Sequence, residues 1–572
     1  MVPAWGHDKH SRRPVSEIAA LLSLIPTVLP LQLHELADFH WDAIVIGSGM
    51  GGATLGYTLA RRGWNVLFCE RGPARSKADL LGDYAELGAT TANTAGLRGG
   101  LRWPEPVEDR GPGKVRTFVP FIGSGSGGSS ALYGMAMERL FAADFGPAPG
   151  GAGAGCFPPS ARTWPISYAD LEPHYRQAEL LYRVRGTPDL LRGLDPSLPP
   201  PPPMSPAAAA LAESLSLRGL HPYQLPSACE YVAGCTSCQG YLCPYPCKND
   251  SWRVALRPAI EQHGATLLDE CEAVQLASSS RTVTGVECVR QGRPLTLKGR
   301  VVIVAAGALN SPALLLRSAS REWPDGLANR SGLVGRNLMR HLIDLYAVKV
   351  PVRQPFDNRR KEIAFNDFYV HEGTKLGTVQ SFGRLPPPEM ILAAMQEDLA
   401  GSGHAWARPL LGLASPALRA YLTRFVDRRL TLASIVEDSA DPENRVELTA
   451  PASGRIAIRY RISDSDRQRV ERMRQLMKAA LAPLRYTLIP EAHKNERIAH
   501  ACGTCRFGDD PRTSVLDRNC KAHGLDNLYV VDASFFPTSG GTNPSLTIAA
   551  NALRVGEHLA GSRATICAAS AP

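Results

Sequence analysis

The chain of 572 residues lacks the marks of several large protein classes. It carries little net charge, since 63 basic residues against 54 acidic ones leave +9 over the whole length. So mild a surplus, with no dense basic stripe, excludes an electrostatic nucleic-acid binder. It has no run of the roughly 20 apolar residues that a membrane-spanning helix needs. The nearest approach, Ile18 to Leu33, is sixteen mostly apolar residues behind Arg12 and Arg13, interrupted by Pro26 and Pro30. No small-residue cleavage site follows it. The segment reads as an amphipathic helix packed on the body; a membrane-surface anchor and a leader peptide are the weaker readings. The 52 glycines and 46 prolines never fall into a collagen period. No internal repeat recurs at a fixed period. The 13 cysteines are too few for a disulfide scaffold of this length. Charged residues at 20% and hydrophobic ones at 44% exclude both a disordered chain and a coiled coil. The remaining class is a globular protein that buries a large core without staples, expected in the cytoplasm.

What is present begins at Trp41. Trp41 to Ile46 is a short, β-branched-rich apolar run, a buried parallel strand. It leads directly into Gly47-Ser48-Gly49-Met50-Gly51-Gly52, which satisfies G-x-G-x-x-G with Gly47, Gly49 and Gly52. A helix follows from Ala53 to Arg62, closed by Gly63, and then a second strand from Trp64 to Cys69 that ends in Glu70. Each part serves dinucleotide binding. Gly47 permits the tight turn, Gly49 lets backbone approach a pyrophosphate, and Gly52 lets helix and strand pack closely. The helix N-terminus offers free N–H groups to the phosphates. Glu70, eighteen residues after Gly52, accepts from ribose hydroxyls and favours an unphosphorylated ribose, that of FAD or NAD.

A second glycine-rich loop, Gly123 to Gly134, lets backbone lie against a flat cofactor; its Ser/Gly composition also suits a linker. Five consecutive prolines, Pro199 to Pro203, form a stiff extended spacer. Val301 to Ala305 reads as another buried strand, and Ser311-Pro312 as a helix start with serine as cap. Ser465 to Ala482 has helical spacing, with Val470, Met473, Leu476, Met477, Ala480 and Leu481 on one core face. Leu528 to Val531 is a last buried strand ending in Asp532.

Five blocks in order give the chain a resemblance. They are Gly47–Glu70, GGSSALYGM at Gly127–Met135, WPISYADLEPHY at Trp164–Tyr175, GALNSP at Gly307–Pro312, and HACGTCRFG with VDASFFPTSGGTNPSLTIAANA across His500–Ala552. Together they resemble the glucose–methanol–choline (GMC) oxidoreductases, a flavoenzyme family. The resemblance implies FAD and oxidation of an alcohol carbon, with hydride passing to flavin N5. It implies an α/β fold: a discontinuous Rossmann-like FAD-binding domain with an inserted α+β substrate-binding domain containing an antiparallel sheet. The boundaries expected are 1–39 for an N-terminal extension, 40–140, 250–340 and 500–562 for the FAD domain, and 141–249 and 341–499 for the substrate domain.

By resemblance the cofactor-binding residues are Gly47, Ser48, Gly49, Met50, Gly51, Gly52, Glu70, Gly127, Gly128, Ser129, Tyr133, Gly134, Met135, Val274, Ala306, Gly307, Asp532, Ala533, Asn543 and Pro544. Tyr133 stands where many members have asparagine. The Gly123–Gly134 loop has no histidine, so no histidyl-linked flavin is expected there. His500 is expected to act as base or hydrogen-bond partner of the substrate hydroxyl, because neutral imidazole suits that task near neutral pH. Asn543 is expected to hold the same oxygen. A competing role exists for it: Asn543-Pro544 before the apolar Leu546–Leu553 run also makes a good helix cap. That helix N-terminus is a source of positive potential for reduced flavin if it points at the ring.

The densest oddity is Cys229, Cys235, Cys238, Cys243 and Cys247, spaced C-x5-C-x2-C-x4-C-x3-C. Thiolates this close in a loop suit an iron–sulfur cluster, zinc, disulfides or buried free thiols; Cys235, Cys238, Cys243 and Cys247 are the expected cluster ligands. Cys502 and Cys505 beside His500 read as buried thiols. The expected partners are a small alcohol (sugar or glycoside, sterol or long-chain alcohol) and an electron acceptor: oxygen, a quinone- or cytochrome-type acceptor protein, or the cysteine-bound cluster. Nucleic acid is not expected, and membrane-surface contact rests only on the N-terminal segment. The alternative is a non-redox lyase or photodecarboxylase of the same fold.

Overall fold

A computed structural model describes residues 39–75, 101–146, 164–192, 198–352, 358–401, 406, 408–450 and 454–563. The N-terminal segment read as an amphipathic helix lies outside the described residues. Among the described residues no helix is long and apolar enough to cross a membrane.

The first core is built on a parallel sheet. Strand β1 (His40–Ile46) is buried from Trp41 onward, as a two-faced apolar run requires. Helix α1 (Met50–Ala60) returns the chain to β2 (Val66–Cys69), which pairs with β1 in parallel, Ile44 opposite Leu67. β3 (Thr266–Leu268) extends that edge. β4 (Cys271–Ser278), β5 (Val283–Arg290) and β6 (Arg293–Val304) form an antiparallel meander. The far half of β6 runs parallel to β1, with Val302 opposite Ile44, and to Leu528–Val530 on its other side. Three strand ends, those of β1, β6 and Leu528–Val530, therefore open on one edge, where ligands bind in sheets of this type.

Helix α2 spans Gly307–Arg317, so Ser311-Pro312 lies inside it rather than at its start. Two contacts explain the difference. The Ser311 hydroxyl donates to Asp532 Oδ2 (2.5 Å) and accepts from Ala306 N (3.1 Å), so it is not free to cap. Pro312 cannot donate to the Ala308 carbonyl one turn back. The Thr504 hydroxyl does so instead at 2.7 Å.

The second core lies under a six-stranded antiparallel sheet. Its strands are β7 (Leu342–Lys349), β8 (Ile363–Phe365), β9 (Gly377–Ser381), β10 (Leu430–Val436) and β11 (Arg485–Ile489), with Tyr223–Gln224 on the edge, in the order β11-β7-β10-β9-β8-edge. Helix α3 (Asp464–Ala480) covers part of it. Ser463 caps α3 by accepting from Asp466 N, and Val470, Met473, Met477 and Ala480 are buried as the periodicity predicts, each large side chain worth about 1.5–3 kcal/mol. The segment between the glycine loop and β3 serves both cores. Tyr175 and Tyr182, on and just after the Tyr168–Leu181 helix, join the first; the Pro206–Ser216 helix joins the second. The last helix, α4 (Ser545–Gly561), packs on α1, where Gly556 comes against Thr58.

Candidate active site

One cavity of about 420 Å³ runs between the two cores. Its floor is the first glycine loop. Gly47 has φ +98°, and a Cβ there would lie 2.5 Å from the Ala305 carbonyl oxygen. A Cβ on Gly52 would lie 2.1 Å from the Gly47 oxygen, and one on Gly51 2.2 Å from the Val531 oxygen. The loop is therefore pressed against the ends of β6 and the Leu528–Val530 strand, and α1 begins with no side-chain cap on its free amides. The second glycine loop lies over the first: a Cβ on Gly128 (φ +51°) would lie 2.9 Å from the Gly49 Cα.

Most of the residues expected at a cofactor line this cavity. Gly47, Ser48, Gly49, Met50, Gly51 and Glu70 form one end, and Gly128, Ser129, Tyr133 and Gly134 the lid above it. Ala306, Gly307, Asp532 and Ala533 form the middle, and Asn543, Pro544 and His500 the far end. Four do not line it. Gly52 packs α1 on β1, and Gly127 donates its N–H to the Ser48 hydroxyl at 3.3 Å. Met135 lies behind the loop with φ +63°. Val274 is displaced by its neighbours, since Cys271, Glu272 and Ala273 supply that wall.

Glu70 accepts from Ser48 N (3.0 Å), the Ser48 hydroxyl (2.6 Å) and Gly72 N (3.0 Å), which fixes its carboxylate at the end of β2. Asp532 accepts from Gly307 N (2.9 Å) and Ser534 N (2.8 Å), so it ties α2 to the C-terminal strand. The Tyr133 hydroxyl donates to the Asn249 carbonyl at 2.5 Å, leaving its ring on the cavity. Glycine-demanding backbone, uncapped helix amides and a fixed acid fit a dinucleotide with an unphosphorylated ribose.

The far end holds an arrangement that the sequence did not reveal. His500 is partly buried in the cavity wall, and His341 Nδ1 lies 3.0 Å from His500 Nδ1. His341 Nε2 faces two carbonyl oxygens, Ser539 at 3.0 Å and Gly540 at 2.8 Å. Carbonyls only accept, so His341 Nε2 carries the hydrogen and its Nδ1 in the neutral ring is a lone pair. His500 Nδ1–H must then donate, which leaves His500 Nε2 bare; the tautomers follow from the network. Burial first, then the neighbouring His341 and Lys361, hold the His500 pKa well below its usual value, so the ring is neutral. His341 itself sits at φ +59°, a strained conformation held by Asp438, whose Oδ1 accepts from His341 N (3.2 Å) and the Ser539 hydroxyl (2.9 Å).

Asn543 is not a cap. Helix α4 starts at Ser545 with Pro544 in the cap position, and Asn543 Oδ1 is buried without a hydrogen-bond partner. A buried orphan oxygen in a cavity wall is what a ligand hydrogen bond would satisfy.

The cysteine loop forms a compact thiol set. Cys229 Sγ lies 3.8 Å from Cys235 Sγ, and both lie within 4.8 Å of Cys247 Sγ. Cys243 Sγ is 3.1 Å from Cys247 Sγ. Cys229, left out of the expected ligands, is thus inside the set, and Cys238 meets both the Cys243 thiol and the Thr236 hydroxyl, the latter at 3.2 Å. A tetrahedral ion with bonds of about 2.3 Å spaces its sulfurs about 3.8 Å apart. The set as it stands fits one thiolate-bound ion. An iron–sulfur cluster is likewise held by cysteine thiolates, two to each iron in the two-iron form. A second group, Cys69, Cys271 and Cys288, lies buried at the nucleotide end. Cys502 and Cys505 are buried thiols whose pKa burial pushes up. All described cysteines are free.

Two family models described as GMC oxidoreductase match residues 193–343 and 440–552. The 6'''-hydroxyparomomycin C oxidase of Streptomyces lividus is 31% identical over 552 residues, covering 92% of this chain and 93% of that protein. The chain belongs to the GMC oxidoreductase family. Paromamine 6'-oxidase of Streptomyces fradiae is 30% identical, covering 92% of each chain. The 2-methyl-1,2-propanediol dehydrogenase of Mycolicibacterium austroafricanum is 26% identical, covering 91% of this chain and 95% of its own. Among solved structures, pyridoxine 4-oxidase from Mesorbium loti matches with TM-score 0.62 at 20% identity, covering 91% of this chain and 99% of that one. These agree with the two-sheet fold. Membership makes the chain an FAD-dependent oxidoreductase acting on alcohols, and the cradle described above fits that cofactor.

Proposed function

We propose that His500 takes the hydroxyl proton of the substrate alcohol at Nε2 while Asn543 holds the same oxygen. FAD, held by the Gly47–Gly52 loop, Glu70 and Asp532, supplies the acceptor for the hydride that leaves the carbinol carbon. The observation that carries this reading is the His341–His500 pair, which leaves an unprotonated ring nitrogen in the wall that Asn543 shares, where the Asn543 amide N–H would be the donor to the substrate oxygen. His341 is a positioning residue: it fixes the tautomer and, through two carbonyls, the angle of the His500 ring. When the proton arrives on Nε2, the imidazolium keeps its Nδ1–H bond to His341. The balance closes with one proton on His500, one hydride on the cofactor and a carbonyl product. The α4 N-terminus beside Asn543 adds positive potential at this end.

Reoxidation by oxygen is the reading favoured for this chain, because the two Streptomyces relatives described above, at 31% and 30% identity, are named oxidases. The Cys229–Cys247 loop is read as a metal-holding element. Its spacing suits a single ion, an iron–sulfur cluster is the second reading, and no electron path is assigned through it. Anaerobic mixing with an alcohol in the dark tests the proposal. Bleaching of the oxidised flavin with stoichiometric carbonyl formation supports it. Turnover without flavin reduction, or only under light, would point to the lyase or photodecarboxylase alternative.

A further inference from the structure

The alcohol end of the cavity carries more polar groups than the reaction uses. The antiparallel sheet presents Gln380 there, one strand from Ala433, with Ile343 opposite Ile435 beside it. Gln380 Oε1 is buried without a partner, and so is Oε1 of Gln239 across the cavity. Lys361, beside β8, completes the group. A Cβ on Gly134 would meet both Lys361 Nζ, at 2.4 Å, and Gln239 Oε1, at 2.7 Å, so the two heads converge on the backbone of the glycine loop. Burial lowers the Lys361 pKa to about 8, so it remains largely cationic at neutral pH. No described acid pairs with it; its ammonium has the Phe382 ring, 5.8 Å away. The acids that line the cavity are Glu70, Glu272 and Asp532, at its nucleotide end and middle.

A half-buried cation and three buried orphan amide oxygens, counting Asn543, cost free energy unless something meets them. The amides suit several hydroxyls at fixed positions. The cation suits a negative charge, and no described lining residue offers a counter-charge for an ammonium at this end. A sterol or fatty alcohol, with its one hydroxyl at the reacting position, would leave Lys361, Gln239 and Gln380 unmet.

We propose that the substrate is an anionic polyol, a sugar-sized molecule bearing a carboxylate or phosphate that Lys361 receives while Gln239 and Gln380 hold its hydroxyls. This rests on the alcohol-oxidation reading above. It separates this chain from relatives named for paromamine and hydroxyparomomycin, which are amino sugars.

The test uses FAD-loaded enzyme under anaerobic conditions, with flavin bleaching read for gluconate, glucose 6-phosphate, glucose, glucosamine and 1-decanol. An anionic sugar is expected to give the highest kcat/KM; the first two probes tell carboxylate from phosphate. Lys361→Met is expected to lower the anionic-to-neutral kcat/KM ratio about 10- to 100-fold, the worth of one buried charge-assisted hydrogen bond, mostly through KM. Lys361→Arg is expected to recover most of that ratio, and flavin content reports folding in both variants. A preference for glucosamine or 1-decanol, or a ratio in Lys361→Met within twofold of wild type, overturns the substrate class and leaves alcohol oxidation standing. Bleaching by none of the alcohols overturns the underlying reading and this proposal with it.

Discussion

His341 is the sharpest place to perturb the account. It reacts with nothing, yet it decides which His500 nitrogen is bare. In His341→Ala the His500 Nδ1–H loses a 3.0 Å partner inside the protein. Leaving that donor unsatisfied costs about 1–3 kcal/mol. The ring escapes the cost by moving its proton to Nε2, and that tautomer is no base. The fraction of competent enzyme falls by the same energy, about 5- to 150-fold in the rate of flavin reduction. The assay is anaerobic stopped-flow reduction at saturating alcohol, which separates the chemical step from reoxidation. The pH profile gives a second readout. Burial, His341 and Lys361 all lower the His500 pKa, so wild type should keep its rate below pH ~6.5 and lose it only as His500 finally protonates. Removing His341 takes away both the acceptor at Nδ1 and a neighbouring titratable ring, so the acid limb should shift. His341→Gln, which can still accept at that position, should recover part of the rate. A His341→Ala enzyme with normal flavin content, a reduction rate within twofold of wild type and an unmoved acid limb would refute the tautomer argument.

Other perturbations reach different parts of the molecule. Gly47→Ala places a side chain at φ +98° and against the Ala305 carbonyl; the backbone term alone, about 1–2 kcal/mol, predicts FAD binding weaker by about 5- to 30-fold, measured by flavin titration of apoprotein. Arg139 donates to Glu179 through Nε and Nη2, both at 2.6 Å, with the two side chains 7% and 8% exposed. Arg139→Ala strands the carboxylate and should cost about 3–5 kcal/mol, seen as a lower denaturant midpoint; Arg139→Ala with Glu179→Leu should regain much of it. Purified protein should contain a thiolate-bound metal, zinc or iron by elemental analysis, that Cys247→Ser loses; a metal-free wild type would end the metal reading of the loop.

The parts of the fold that were legible in sequence are those whose cause is local. Gly47, Gly49, Gly52 and Glu70 belong to one strand–loop–helix–strand unit, so their spacing carries their geometry. Val470, Met473 and Met477 were legible for the same reason. Ser311 was misread as a cap, and the competing cap role of Asn543 falls away, for reasons that the local pattern does not hold. Ser311 answers to Asp532, 221 residues away. Asn543 stands free because Pro544 takes the cap position of α4. His341 and Lys361 gave no local signal at all. Lys361 reaches the cavity from the residues before β8, and His341 backs His500 from the residue before β7; the order of these elements in the sheet is determined only by long-range pairing. Cys229 belonged to the five-cysteine pattern, and the spacing alone gave no sign that its sulfur would lie beside those of Cys235 and Cys247. His500 itself was found through resemblance, and its immediate surroundings have no counterpart in the sequence pattern.

The central claim is that His500 is the base. Its most direct test is the anaerobic rate of flavin reduction by a saturating alcohol in His500→Ala, with FAD content matched to wild type. The account predicts a loss of about 10²- to 10⁴-fold, the range for a removed general base, with part of the rate restored by added imidazole. A His500→Ala enzyme that reduces its flavin at the wild-type rate would contradict it.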